Sequence, residues 1–272
     1  MAHRLAQRLG NADIGADLIL HAFRDAIGSE PGIGDAARAD IVATFDRDPA
    51  CDRYIDPLLY FKGYQAIQTH RMAHALWGLG RNDFAYYLQS RLSVLTSIDI
   101  HPAARIGKGI MVDHGHDIVI GETCVIEDNV SIMQGVTLGG TSTRREKRHP
   151  TLEDEVTVGA GAQIIGAVTI GTGAKIGAGS VVVSSVPPGA TVVGVPGHIV
   201  AFTNATNDTV ERLPDPEWDR LQDLERRIAD LERQAGLPSD PLDQRPRGGL
   251  DLCPDGADAA GELCEVDQHE WL

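Results

Sequence analysis

Aliphatic residues return every six positions along much of this chain. Ile100, Ile106 and Val112 open the series; Ile120, Ile126, Ile132 and Leu138 continue it; Leu152, Val158, Ile164, Ile170, Ile176 and Val182 close it. All thirteen are Ile, Val or Leu, and six are followed at once by glycine: Gly107, Gly121, Gly139, Gly159, Gly171 and Gly177. A period of six is neither that of a helix nor that of a simple alternating strand. It predicts a parallel β-helix over residues 99–200, a prism walled by short strands. One aliphatic per wall points inward and stacks on its counterpart in the next coil, about 4.8 Å away. The glycine beside it is expected to take the positive φ of a tight corner.

Two interruptions break the ladder. The step from Val112 to Ile120 is eight residues and carries Asp113, His114, Gly115, His116 and Asp117. The step from Leu138 to Leu152 is fourteen, which reads as two hexads plus two residues, and its polar run over residues 140–150 must loop outward. A repeat is cheapest when regular, so function is expected where it is broken. Each break contains a histidine. Asp113 precedes His114, and Asp99 lies fifteen residues before it. Residues about eighteen apart stack on neighbouring coils of such a prism, so Asp99 and His114 are expected to meet. A carboxylate on one imidazole nitrogen fixes the tautomer and strengthens the other nitrogen as a base. His70, His74, His198 and His269 read as ordinary surface or core residues.

The flanks have other periods. Residues 1–47 read as helical, with polar breaks near residues 28–34. Asp56 followed by Pro57 predicts a capped helix start; the segment carries Leu58, Leu59, Ala66, Ile67, Met72 and Trp77 and stops at Gly80. Asn82 is expected to cap the next helix, with Phe84, Tyr87, Leu88, Leu92 and Leu95. Beyond the prism, Leu221, Leu224, Ile228 and Leu231 fall at spacings of three, four and three. That two-heptad seam suits either bundling with copies of itself or lying against the body. Residues 239–272 hold nine acidic residues and two arginines, and are expected to be a disordered acidic tail. The predicted class is α+β: a helical domain over 1–98, the β-helix over 99–203, a linker and amphipathic helix over 204–238, and the tail.

Composition narrows the function. A chain of 272 residues can hold one substantial core and an accessory domain. A formal net charge of −15 argues against a nucleic-acid surface. Cys51, Cys124, Cys253 and Cys264 lack the close pairing of a zinc site. The first thirty residues show no signal-peptide pattern, and no apolar run is long enough to span a membrane. A cytoplasmic protein with reduced thiols is expected.

Seven runs together resemble the serine O-acetyltransferase family of hexapeptide-repeat acyltransferases. They are Asp48-Pro-Ala-Cys-Asp, Pro57-Leu-Leu-Tyr-Phe-Lys-Gly, Asp99-Ile-His-Pro-Ala-Ala, Gly109-Ile-Met-Val-Asp-His, Val136-Thr-Leu-Gly-Gly, Arg148-His-Pro and Gly194-Val-Pro. The resemblance implies a left-handed β-helix, a homotrimer with active sites between adjacent subunits, and acetyl transfer from acetyl-CoA to L-serine in cysteine biosynthesis, with no metal. By the same resemblance His114 is the general base and Asp99 its orienting carboxylate. Asp48 and Asp113 bind the amino acid, Arg148 grips its carboxylate, and His149 is a second imidazole on the substrate. Gly140, Ala160, Lys175 and Ala178 line the acetyl-CoA groove. Feedback inhibition by L-cysteine also follows from the resemblance.

The chain departs from the family pattern in places. His116-Asp117 stands where relatives carry a small or hydroxyl residue and then glycine. The helical region is shorter than in long members, which bears on pairing of two trimers into a hexamer. The end, Glu270-Trp271-Leu272, differs from the terminal Ile of relatives that dock into O-acetylserine sulfhydrylase. Three other readings stay open: another small acceptor such as homoserine or a sugar; a carbonic-anhydrase-type zinc lyase using His101, His114, His116 and His149; and a non-catalytic scaffold for the sulfhydrylase.

Overall fold

The structure is a computed structural model. It describes residues 1–203, 209–212 and 216–236. The expected acidic tail, most of the expected polar linker, Cys253, Cys264, His269 and the Glu270–Leu272 terminus lie outside the described residues. Six helices come first: α1 (Ala2–Leu9), α2 (Ala16–Ser29), α3 (Ile33–Arg47), α4 (Asp56–Leu59), α5 (Lys62–Gly78) and α6 (Asn82–Thr96). The single helix expected after Asp56 is thus two, parted at Tyr60 and Phe61. Asp56 does not cap: its carboxylate accepts from Arg53 Nη2 at 2.5 Å and Nε at 3.2 Å. Asn82 is likewise the first residue of α6 rather than its cap. The stop at Gly80 is as expected and has a clear cause. Gly80, at φ +74°, donates to the Trp77 carbonyl and Arg81 to that of Leu76, both at 2.9 Å, the paired bonds that close a helix end in a left-handed residue. Leu5, Leu9, Ile19, Phe23, Met72, Leu76 and Leu88 form the core of this helical head.

The prism begins at Ile98. Its first wall stacks β1 (Ile98–Ile100), β4 (Ile118–Ile120), β7 (Thr137–Gly139), β10 (Gln163–Ile165) and β13 (Val181–Val182) in parallel. The second stacks β2 (Arg105–Ile106), β5 (Val125–Ile126), β8 (Thr151–Leu152) and β11 (Thr169–Ile170). The third stacks β3 (Met111–Val112), β6 (Ser131–Ile132), β9 (Thr157–Val158), β12 (Lys175–Ile176) and β14 (Ala190–Val193). There β15 (His198–Thr203) folds back antiparallel on β14, and β16 (Val210–Arg212) pairs antiparallel with β15. The aliphatic ladder lies inside: Ile100, Ile120, Leu138, Ile164 and Val182 line the first wall and share one continuous core with the other rungs.

Two expectations about the ladder are corrected. Register shows that the fourteen-residue step is one wall-to-wall step with eight residues looped out, because Ile126 pairs with Leu152 and Ile120 with Leu138 in the same coil-to-coil row. The glycines beside the rungs do not supply the positive φ. That falls two residues later, for example at Gly109, Gly161 and Gly179. A side chain at Gly159 would instead meet the Ala178 nitrogen of the next coil at 2.7 Å, so close stacking demands glycine there.

A parallel coil leaves unpaired backbone groups at its open end, and the helical head covers them. From α5, His74 Nδ1 donates to the Pro102 carbonyl at 2.7 Å and His70 Nε2 to that of Ala104 at 3.2 Å. Arg71 donates to Ile106 at 3.1 Å and Gly107 at 2.6 Å. From α3, Arg47 reaches the Gly109 carbonyl at 3.2 Å, and the buried Asp40 carboxylate accepts the Ile110 N–H at 2.9 Å. Asp40 also holds Arg71 through both oxygens, at 3.1 and 2.8 Å. Burial pushes the Asp40 carboxyl up, and Arg71 with the Ile110 N–H pulls it back. Burial pushes the His70 imidazole down to about 3, so it stays neutral.

The chain divides into two compact units, residues 1–212 and a second that holds α7 (Pro216–Ala235). Among the described residues no helix is long and apolar enough to cross a membrane.

Candidate active site

The first interruption forms the edge between the third and first walls. Asp113 follows β3 directly, and His114, Gly115 and Asp117 are all left-handed, at φ +53°, +58° and +52°. Two of these are not glycine, an uncommon backbone state that costs about 1 kcal/mol or more per residue and marks candidate functional positions. Asp117 fills the place where the resembled family has glycine, and it holds a glycine-like conformation. The turn is tied by the Asp113 carboxylate, which accepts the His114 N–H at 2.7 Å. The His114 imidazole projects into solvent, 71% exposed, with Asp113 Oδ2 3.6 Å from Nε2. Lys62 Nζ sits 3.4 Å from His116 Nδ1. A side chain at Gly63 would strike the Val112 carbonyl, so α5 enters against this corner at close range.

Asp48 ends α3 and turns the chain by accepting the Ala50 N–H at 2.8 Å. Its neighbour Arg47 binds the Asn129 carbonyl at 2.9 Å and Ser131 Oγ at 3.1 Å. That anchors the end of α3 beside the wall whose first strand runs into Asp113. Down the same edge the corners stack through Gly135 N–H to the His116 carbonyl, Gly161 to Gln134 and Gly179 to Ala160, at 2.7, 2.8 and 2.8 Å. Ala160 and Ala178 therefore lie in the row below His114, with Lys175 in the wall leading to it.

The second interruption forms the edge between the first and second walls. The outward loop returns with Arg148 half-buried and His149 buried. Glu122 binds Arg148 Nη2 at 2.5 Å, and this bond holds the Glu122 carboxyl below its usual range. The Thr123 N–H donates to His149 Nδ1 at 3.2 Å and Thr123 Oγ1 lies 2.9 Å from it. A backbone N–H can only donate, so neutral His149 carries its proton on Nε2. Burial and the Arg148 charge push His149 down and keep it neutral. A side chain at Gly121 would overlap the His149 ring, and one at Gly140 would approach Nε2 at 2.9 Å. His101 belongs to this edge, its ring edge-on to that of Tyr86; burial pushes its imidazole down, against the opposing charges of Glu122 and Asp99. Asp99 Oδ1 accepts from Gln89 Nε2 at 2.6 Å.

The predicted residues thus gather in two groups rather than one. Asp48, Asp113, His114, Ala160, Lys175 and Ala178 belong to one edge; Asp99, Gly140, Arg148 and His149 belong to the other. Among the described residues no hydrogen bond or ion pair joins Asp99 to His114, because Asp99 stacks on Val119 in the register. No group of three His, Cys, Asp or Glu is placed to hold a metal ion among the described residues. Glu122 and Thr123 escape the sequence reading and Gly121 reads there only as a rung glycine, since they sit on a regular step of the ladder and only the return of the loop gives them a partner.

A helical head that closes a hexapeptide prism, with a histidine-bearing break at one edge, defines an acyltransferase of the hexapeptide class; residues 149–184 match the family model for the bacterial transferase hexapeptide. Residues 1–69 match that of the serine acetyltransferase N-terminal region. The serine acetyltransferase of Salmonella typhimurium is 49% identical over 200 residues, 74% of this chain and 73% of that one. The chain belongs to the serine acetyltransferase family. Among solved structures, the Brucella abortus strain S19 serine acetyltransferase in complex with coenzyme A is 52% identical at a TM-score of 0.73, covering 75% of this chain and 82% of that one. The Neisseria gonorrhoeae serine acetyltransferase in complex with serine is 50% identical at a TM-score of 0.72, covering 74% and 81%.

Proposed function

We propose that acetyl transfer from acetyl-CoA to L-serine, giving O-acetyl-L-serine and CoA at the start of cysteine biosynthesis, runs where unlike edges of two copies meet. The observation that carries this reading is the split of the candidate residues between two edges of one prism. A ring of three copies sets the His114 edge of each against the Arg148 edge of the next. Asp48 and Asp113 take the serine ammonium. Glu122 occupies one nitrogen of the Arg148 guanidinium and leaves the other donors for the serine carboxylate. His114, oriented by Asp99 of the neighbouring copy, removes the hydroxyl proton as the serine oxygen attacks the thioester carbonyl. The tetrahedral oxyanion needs donors, and the Nε2–H of His149 is a neutral one. The intermediate collapses to expel CoA as thiolate, which recovers the proton from His114.

L-Cysteine has the same ammonium and carboxylate with a thiol for the hydroxyl, so it fits this clamp as a competitive inhibitor. Pantetheine runs past Ala160 and Ala178, where short side chains let it approach the backbone. A cytoplasmic setting and docking of O-acetylserine sulfhydrylase onto the chain's end belong to the same reading.

Mixing inactive His114→Ala chains with inactive Arg148→Ala chains, after dissociation and reassembly, is expected to restore acetylation of serine, because some interfaces then carry both intact edges. No recovery would place each site within one copy. In the same assay serine should be preferred over homoserine and sugars; a preferred sugar would overturn the amino-acid clamp. A Gly121→Ala substitution should displace His149 and lower kcat/KM by about 10²-fold, with the melting temperature little changed; wild-type kinetics would show that the ring position does not matter.

A further inference from the structure

We propose that α7 is a parallel coiled-coil zipper between copies of this chain. Its apolar seam is left uncovered: Leu221, Leu224, Ile228 and Leu231 are 54%, 43%, 55% and 63% exposed. Their spacing makes Leu221 and Ile228 the a positions of two heptads and Leu224 and Leu231 the d positions. The residues flanking that seam then sort by sign. Arg220 and Arg227 fall at g, Glu225 and Glu232 at e.

That sorting selects an orientation and an occupant. In a parallel pair, g of one helix faces the following e of its neighbour, which sets Arg220 against Glu225 and Arg227 against Glu232 of another copy. In an antiparallel pair g faces g and e faces e, so every flanking contact would join like charges. Among the described residues of α7 the one ion pair is Arg233 with Asp230, on the far side of the helix. Among the described residues Arg220, Glu225, Arg227 and Glu232 make no ion pair, and in the zipper they pair with a neighbour. A seam that merely lay on its own body would have no need of opposite signs on its two margins.

Twenty residues form about 30 Å of helix. Two heptads are marginal as an isolated bundle, but copies already held side by side meet at high effective concentration. The zipper rests on the proposed ring for that effective concentration and for its number of strands, and parallel strands are what a cyclic ring supplies.

The test uses the full chain with Cys253→Ser and Cys264→Ser, adding Leu224→Cys at a d position or Arg226→Cys at an outward f position. Under mild oxidation Leu224→Cys is expected to form inter-copy disulfides about tenfold faster than Arg226→Cys, since identical d residues face one another only in a parallel bundle. Adding Arg220→Glu with Arg227→Glu should slow that cross-link by about tenfold, and further adding Glu225→Arg with Glu232→Arg should restore it. Equal rates at the two positions, or a cross-link indifferent to the charge changes, or no rescue by the full reversal, would overturn the zipper. Serine acetylation is followed in parallel: its retention in the Leu224→Cys chain with native charges, if that chain forms no inter-copy disulfide, would sink the zipper alone and leave the catalytic reading standing.

Discussion

His114→Ala is expected to lower kcat for serine acetylation by about 10²–10⁴-fold, the usual contribution of a general base. The imidazole buries little surface and makes no contact with the inward aliphatic stack, so assembly and melting temperature should stay close to wild type. Alanine at φ +53° is itself strained, whereas asparagine tolerates the left-handed region. His114→Asn therefore separates chemistry from backbone, and it should lose activity to a similar degree. Steady-state kinetics with sedimentation on the same samples decides the matter. An unchanged turnover number in either variant would remove His114 from the mechanism.

Arg71→Ala is expected to be the most damaging single change to stability. It would leave the buried Asp40 carboxylate without its bidentate partner and free the Ile106 and Gly107 carbonyls at the open end of the first coil. Breaking one half of a buried pair costs about 3–5 kcal/mol, because the surviving charge is still desolvated. For a chain of this size the melting temperature should fall by about 10 °C. Replacing Asp40 by Asn in the Arg71→Ala background should recover part of the loss, since the buried group no longer needs to ionise. A melting temperature within a degree or two of wild type in Arg71→Ala would show that the helical head is held by its apolar core alone.

The inward face of the prism was legible because it repeats: thirteen aliphatics at one period leave little freedom for register, and the walls pair accordingly. What an outward loop consumes is not written in that period. Fourteen residues between Leu138 and Leu152 suit two regular steps with a small slip or one step with a long excursion, and only the pairing of Ile126 with Leu152 separates them. The rung glycines were assigned the wrong physical duty for a related reason. Close approach of the next coil and left-handed backbone both demand glycine, and a one-dimensional pattern does not distinguish them. The helix starts at Asp56 and Asn82 were placed correctly, yet neither side chain caps, because Arg53 competes for the first and α6 begins at the second.

The site was legible in part. Both histidine-bearing breaks were visible as irregularities, and each carries left-handed backbone or a buried imidazole. The spacing argument that joined Asp99 to His114 assumed a regular coil of eighteen residues, whereas the first coil is two longer and sets Asp99 on Val119. Glu122 and Thr123 had no signal of their own, since they matter only through a loop that returns to them from more than twenty residues away.

A stack of identical coils has no natural last member, and the exposed rim of any coil is a template for another. The head covers the upper rim with Arg47, Arg71, His70 and His74, and at the other end β15 covers the edge of the third wall by reversing direction on β14. Growth along the prism axis, where the same hydrogen bonds that build the coil would otherwise thread monomers into fibres, is thereby discouraged.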